Sequence, residues 1–439
     1  MAEADGDDDD DGDGDGDSAD RASPSREAYV LLAGGTVAYF LFLFVWFLLP
    51  AFLSPVIDAL GLSSTEAGLV AGAVQLTYVP LALASGFVVD RVGAANAIGA
   101  GLAVLGAGGA LRSLAGGFPA LFGATLLLGV GGTGITFGLP KLVAELFPPR
   151  RTGAASSTYL VGASLGTAAA FAVGRPVLGP ATGGWRPLFQ LSGLAVLATG
   201  VGWLVVARPL RRRATRFDAD EPTPGLGDLR AVLAHPQLRL LVAVGTMQLF
   251  VSHGLQAWIA TALEASGLAA TLAASVASGL VLARIVGTVG IPPLSDRFRA
   301  RRPALLGCGL LGAAGVVGLL LPGAGPVATA AAVALAGIGV GGVAPLVRAI
   351  PVELDGIGPG LTATATGLIF SVGEIGGFAG PFLVGSARDL AGSFLPGFGA
   401  LALGGLVIAA AGYAMDEPSD RAAAAVDPGS GSGSGSDSD

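Results

Sequence analysis

The sequence predicts an all-α integral membrane protein of twelve transmembrane helices, arranged as two six-helix bundles related by pseudo-twofold symmetry. Three observations carry this. The 439 residues are 52% hydrophobic and only 13% charged, with a mean hydropathy of +0.71, which no soluble surface tolerates. Twelve apolar segments are long enough to cross hydrocarbon about 30 Å thick. A charged motif recurs at half-length: Gly86-Phe-Val-Val-Asp90-Arg91-Val-Gly93 is echoed by Gly290-Ile-Pro-Pro-Leu-Ser-Asp296-Arg297, with the second aspartate 206 residues after the first. A repeat of that period means two similar halves.

In chain order, residues 1–26 form an acidic tail without apolar residues to bury, expected to be disordered and cytoplasmic. Asp11-Gly-Asp13-Gly-Asp15-Gly16 imitates the opening of a calcium loop, but its twelfth position is Ala22 rather than glutamate, so it reads as tail and no metal is expected. The N-terminal bundle is placed at 27–207, with spans near 29–50, 66–89, 94–111, 118–144, 154–173 and 186–207. An arginine-rich linker, 208–237, follows. The C-terminal bundle is placed at 238–415, with spans near 238–259, 268–292, 303–321, 326–347, 360–386 and 394–415; residues 416–439 read as a disordered Gly/Ser/Asp tail.

Orientation follows from basic residues. Of 24 Lys and Arg, four (Arg112, Arg175, Arg186 and Arg388) fall on the outer side when both termini are inside, Arg284 falls within a span, and the other nineteen lie inside. That bias predicts a multi-pass protein of the cytoplasmic membrane with both termini in the cytoplasm. A single lysine, Lys141, against abundant aspartate fits a very salty cytoplasm and a halophilic archaeal source. Gly is 72 of 439 residues, which favours close helix packing in lipid. The clusters Gly129–Gly134 and Gly337–Gly342 match the dinucleotide pattern GxGxxG only formally, because they lie inside spans. Cys308, alone, excludes a disulfide framework and is expected to fill a helix interior.

Further residues join the repeat. Pro140 and Glu145 in the fourth span answer Pro345 and Glu353 in the tenth, at offsets of 205 and 208. The duplicated Asp-Arg loops, together with Pro140-Lys-Leu-Val-Ala-Glu145-Leu-Phe-Pro-Pro-Arg150-Arg151, Gly184-Trp185-Arg186 and Gly376-Gly377-Phe-Ala-Gly380-Pro381, resemble the major facilitator superfamily over residues 27–415. The resemblance implies a secondary transporter whose two bundles rock about a midplane site. Phe44-Val-Trp46-Phe47 and Gly254-Leu-Gln256-Ala-Trp258 look most like its nitrate/nitrite and cyanate-type anion porters. The sequence departs from the nitrate pattern, however: Ala82 and Thr288 stand where each half of that pattern carries an arginine.

A charge inside a bilayer costs at least ~2.5–3.5 kcal/mol and so needs a partner, water or a task. Arg284, about 18 Å up the helix from Asp296, is expected to attract an anion, and Glu374, at similar depth, to take up a coupling proton. A permanent Arg284–Glu374 bridge is the structural alternative. His253 is a further proton candidate, or simply a partner for a neighbouring carbonyl. Trp46, Gln75, Tyr78, Gln256 and Trp258 offer the donors and aromatic walls of a pocket, or else packing; Pro80 is expected to kink the second span. Gly86, Asp90, Arg91, Gly93, Glu145 and Arg150, with Asp296, Arg297 and Glu353 opposite, are expected to form a cytoplasmic gate.

These readings predict a monomeric, proton-coupled transporter of a small solute, more anionic than not, in contact with membrane lipid, with no cofactor and no nucleic-acid partner. Efflux of an amphipathic compound by proton antiport is the alternative within transport. A non-transporting sensor or scaffold is the alternative outside it, distinguished by deleting residues 1–26 and 417–439. No catalytic triad, cysteine nucleophile, metal-ligand spacing or Walker loop suggests an enzyme.

Overall fold

The computed structural model describes residues 23–214, 217, 226–321, 323, 325–354, 357 and 359–417. The calcium-loop-like run, Arg216, much of the linker and the tail from 418 onward lie outside them.

Eleven helices are each long and apolar enough to cross a membrane: Arg26–Ala51, Ala94–Arg112, Phe118–Leu146, Pro149–Thr182, Trp185–Arg213, Pro236–Ala265, Ala270–Phe298, Arg301–Leu319, Pro326–Glu353, Thr364–Ala391 and Leu395–Ala414. Ser64–Leu81 and Ser85–Val92, whose axes meet at 70°, make twelve when the pair is counted as one span, the second. Pro80, which has no N–H to donate, lies inside this helix, before the break. Ser63 starts this span with a reciprocal cap: its Oγ accepts from Glu66 N (3.1 Å), and its own N–H donates to Glu66 Oε2 (2.9 Å). Gly93 ends it at φ +85°, a conformation that favours glycine and lets the third span begin at once.

The helices run further than hydropathy suggested. The sixth continues through Arg208, Arg211, Arg212 and Arg213, and the tenth through Arg348 to Glu353. Backbone hydrogen bonding continues where the apolar sequence stops, so these arginines sit on helices rather than in loops. Two short helices, Leu53–Leu60 and Leu226–Ala234, were not foreseen, nor was the π-helical turn at Ala170–Leu178, which contains Pro176.

The duplication is visible in the packing. The first span packs on the fifth, the second on the fourth, and the third on the fourth and sixth. Counting six spans on, the seventh packs on the eleventh, the eighth on the tenth, and the ninth on the tenth and twelfth. Each half is therefore one six-helix bundle. Small residues hold the seams: a Cβ on Gly106 would meet the Leu197 backbone, and one on Gly315 that of Ala336. The two glycine clusters do the same, Gly131 lying on Leu105 and Gly339 on Gly312.

The bundles touch through the second and eleventh spans, the fifth and eighth, and the first and seventh. Polar bonds reinforce this at one end, called here the Asp389 end. Asp389 accepts from Ser64 N (2.9 Å), Thr65 N (2.7 Å) and Thr65 Oγ1 (2.6 Å), capping the second span from the opposite bundle. Nearby, Arg175 Nη1 stands 2.5 Å from Glu264 Oε1. The opposite end carries Asp90 and Asp296.

Candidate functional site

A cavity of about 180 Å³ lies between the bundles. The first span lines it with Leu43, Trp46 and Phe47, and the fifth with Ala163, Ser164 and Thr167. The seventh contributes His253 and Gln256, and the eighth Val281, Arg284, Ile285 and Thr288. Both halves thus build one site, with aromatic walls on one side and the cation on the other.

Arg284 is the chemical centre of this cavity. Its backbone is held by the tenth span, because Gly341 has no side chain to keep the two helices apart. Its Nε is buried without a hydrogen-bond partner, and among the described residues no carboxylate pairs with it. A buried donor left unsatisfied is costly, so a guanidinium held this way on a cavity wall is a ready receptor for an anion. The Arg284–Glu374 bridge considered from sequence is not formed.

Glu374 belongs to a second cluster, which shares His253 with the cavity lining. A Cβ on Gly377 would lie 3.0 Å from Gln75 Cγ, 3.1 Å from His253 Nδ1 and 3.2 Å from Glu374 Oε2, so three spans bring these side chains to one point. Gln75 Oε1 is buried without a partner. His253 belongs to both groups. Its Nδ1 lies 3.2 Å from Leu249 O, and since a carbonyl only accepts, that nitrogen carries the hydrogen.

Other candidates are placed elsewhere. Trp258 is fully buried; its Nε1 donates to Pro381 O (2.8 Å) and its ring packs on Phe394, so it joins the seventh span to the eleventh and does not line the cavity. Tyr78 is tied to Thr136 Oγ1 at 2.8 Å, also away from the cavity lining. Gln256 does line the cavity, with its amide donating to Ser252 O and Oγ.

The expected gate residues pair within their own bundles rather than across them. Asp90 binds Lys141, and Glu145 stands 3.8 Å from Arg211, which also covers Gly93. In the second half, Arg301 holds Asp296 (2.5 Å) and Glu353 (2.5 and 2.9 Å) in one fork. Arg91, Arg150 and Arg297 are exposed, and a Cβ on Gly86 would meet nothing within 4 Å. The physical reason is that the bundles are joined at the Asp389 end. Lys141, Arg211 and Arg301 were missed as partners; Lys141, the sole lysine and two turns from Pro148, was the one with a sequence signal.

Two six-helix bundles enclosing a polar cavity at their interface define a multi-span transporter of small solutes. Residues 35–381 match the Major Facilitator Superfamily, and the chain belongs to that superfamily. It is a transporter fold, not an enzyme. The chain is 25% identical over 367 residues to a candidate tartrate transporter of Agrobacterium vitis, covering 77% of this chain and 79% of that protein. It is 27% identical over 346 residues to the 3-(3-hydroxy-phenyl)propionate transporter of Escherichia coli K12, covering 76% and 80%. Its fold is similar to that of a bacterial homolog of the human lysosomal transporter Spinster, crystallised inward-facing and unoccupied (TM-score 0.73, 19% identity, 89% and 97% covered).

Proposed function

We propose that this chain moves a small organic anion across the cytoplasmic membrane by alternating access, coupled to protons. The observation that carries the reading is Arg284, an unpaired guanidinium on the wall of a cavity shared by both bundles. Trp46 and Phe47 opposite it suit a carboxylate on a flat or compact carbon body. Both relatives described above take carboxylates by name, and Ala82 and Thr288 argue against a nitrate site built on two arginines. Glu374, equally without a cation among the described residues, is the coupling group, with Gln75 and His253 beside it.

The Asp90 end faces the cytoplasm in this reading, which the excess of basic residues on that side supports. The joined Asp389 end then makes this an inward-facing state, and the in-bundle pairs at the other end are gate halves apart. The test is uptake of radiolabelled tartrate and 3-(3-hydroxyphenyl)propionate by proteoliposomes under an imposed pH gradient, in molar KCl to suit the acidic composition. The wild type should accumulate at least one, and Arg284→Gln neither. Full uptake by Arg284→Gln, or none by the wild type, sinks the reading. Accumulation driven only by an outward proton gradient would favour the antiport of the efflux reading.

A further inference from the structure

The two halves treat one repeated cation differently. Lys141 in the fourth span and Arg348 in the tenth are 207 residues apart, in step with the offset of 206 between Asp90 and Asp296. Lys141 binds Asp90. Arg348 has no such partner, because Arg301 holds both Asp296 and Glu353. Arg301 is an addition to the second half: 207 residues earlier stands Ala94. Among the described residues no carboxylate pairs with Arg348.

Its surroundings show where the spare charge points. The Arg348 guanidinium carbon lies 4.5 Å over the Phe370 ring, and the residue is exposed. Tyr39 and Tyr159, from the first and fifth spans of the other bundle, are within electrostatic range of it. The charge therefore lies toward the other bundle. Its depth follows from helix geometry. Gly341 packs on the Arg284 backbone, and Arg348 is seven residues further along, on nearly the same face and about 10 Å closer to the Asp90 end.

We infer that Arg348 is a second anion-binding station, between Arg284 and the Asp90 end, which receives the carboxylate of the solute as it leaves or enters the central cavity on that side. This rests on the organic-anion reading. An exposed cation beside the Phe370 ring, with no carboxylate partner among the described residues, concentrates anions there, whereas a cation that only sets topology would act through its charge on either side of the cycle.

The test is transport of tartrate and 3-(3-hydroxyphenyl)propionate in right-side-out and inside-out vesicles containing the full chain, comparing wild type, Arg348→Gln and Arg348→Lys. Losing one charge-assisted contact in a hydrated passage should raise KM from the Asp90 side roughly 3–10-fold. KM from the Asp389 side should stay at the wild-type value. Lysine keeps the charge but loses the planar fork, so Arg348→Lys should give a smaller rise, still on the Asp90 side alone. That variant also decides the matter if Arg348→Gln fails to reach the membrane. An unchanged KM from the Asp90 side, or an equal change from both sides, overturns the station while leaving Arg284 as the central site. Failure of the wild type to carry either anion overturns both readings together.

Discussion

Trp46 and His253, 207 residues apart in the sequence, stack ring on ring with centroids 5.8 Å apart and planes 17° from parallel. They occupy matching positions of the two halves, and the stack joins the first span to the seventh. Other matched pairs diverge in chemistry. Arg284 answers Tyr78 at 206 residues, and Glu374 answers Thr167 at 207. The duplication gives a symmetric scaffold, but the ionisable groups stand on the second half and the neutral walls on the first.

The stack separates two roles of His253. Phenylalanine keeps the stacked ring and loses both nitrogens, one of which is already engaged with Leu249 O. His253→Phe should therefore keep proton-driven accumulation and an unchanged melting temperature. His253→Ala should lower thermal stability by about 1 kcal/mol or more, since stacked aromatic pairs contribute roughly that beyond their burial. Loss of pH-gradient-driven accumulation in a stably folded His253→Phe protein would assign the proton relay to the ring.

Glu374 has the complementary prediction. Glutamine retains its shape and cannot exchange a proton, so Glu374→Gln should retain anion exchange between loaded vesicles while losing accumulation driven by a pH gradient. If accumulation and its pH dependence both persist, the carboxylate is structural. If Arg284 is the anion's receptor as proposed, Arg284→Gln should be impaired in exchange as well, since charge-assisted contacts of this kind correspond to roughly 10–100-fold in affinity.

The sequence carried the fold well because the determinants are additive along the chain. Apolar length marks a span, the Asp90 and Asp296 loops mark the repeat, and neither needs knowledge of tertiary contacts. The site was only half legible. Arg284 stood out because a charge in an apolar run is costly wherever it points, and it does line the cavity. Trp258 has the same composition signal as Trp46, yet one bonds Pro381 inside a bundle and the other faces the cavity. Helix rotation decides between them, and spacing alone does not fix rotation in spans that are apolar on every side. Pairing was similarly hidden: Arg301 reaches Glu353 across 52 residues, and only the packing of the ninth span on the tenth brings them together.

The bonds at the Asp389 end should bias the conformational equilibrium. Asp389 caps the second span from the other bundle, and Arg175 meets Glu264 with both side chains mostly buried. Asp389→Ala removes a cap that contributes about 1 kcal/mol only while this end is closed, so the state open there should gain population. Ser164 lines the cavity and Cys308 is buried, so Ser164→Cys reports on access to a membrane-impermeant maleimide. Labelling from the Asp389 side should be faster in the Asp389→Ala background. Equal rates would show that the cap stabilises the helix without holding the bundles together.

Two glycines should respond in opposite ways to the same added methyl group. A Cβ on Gly376 would run into the Thr246 carbonyl, where the seventh and eleventh spans touch; overpacking of this kind costs about 1–3 kcal/mol, so Gly376→Ala should melt several degrees below the wild type. Gly86 has open space around its Cβ position here, and alanine is the better helix former by roughly 0.5–1 kcal/mol. Gly86→Ala should therefore melt at or slightly above the wild-type temperature. If Gly86 serves the gate, the bundles must approach it when the Asp90 end closes, and the methyl group would obstruct that state alone. The expected result is normal stability with reduced turnover. Wild-type turnover in Gly86→Ala would mean that closure at the Asp90 end brings no helix against this position, and that the gate is made by the charged residues around it.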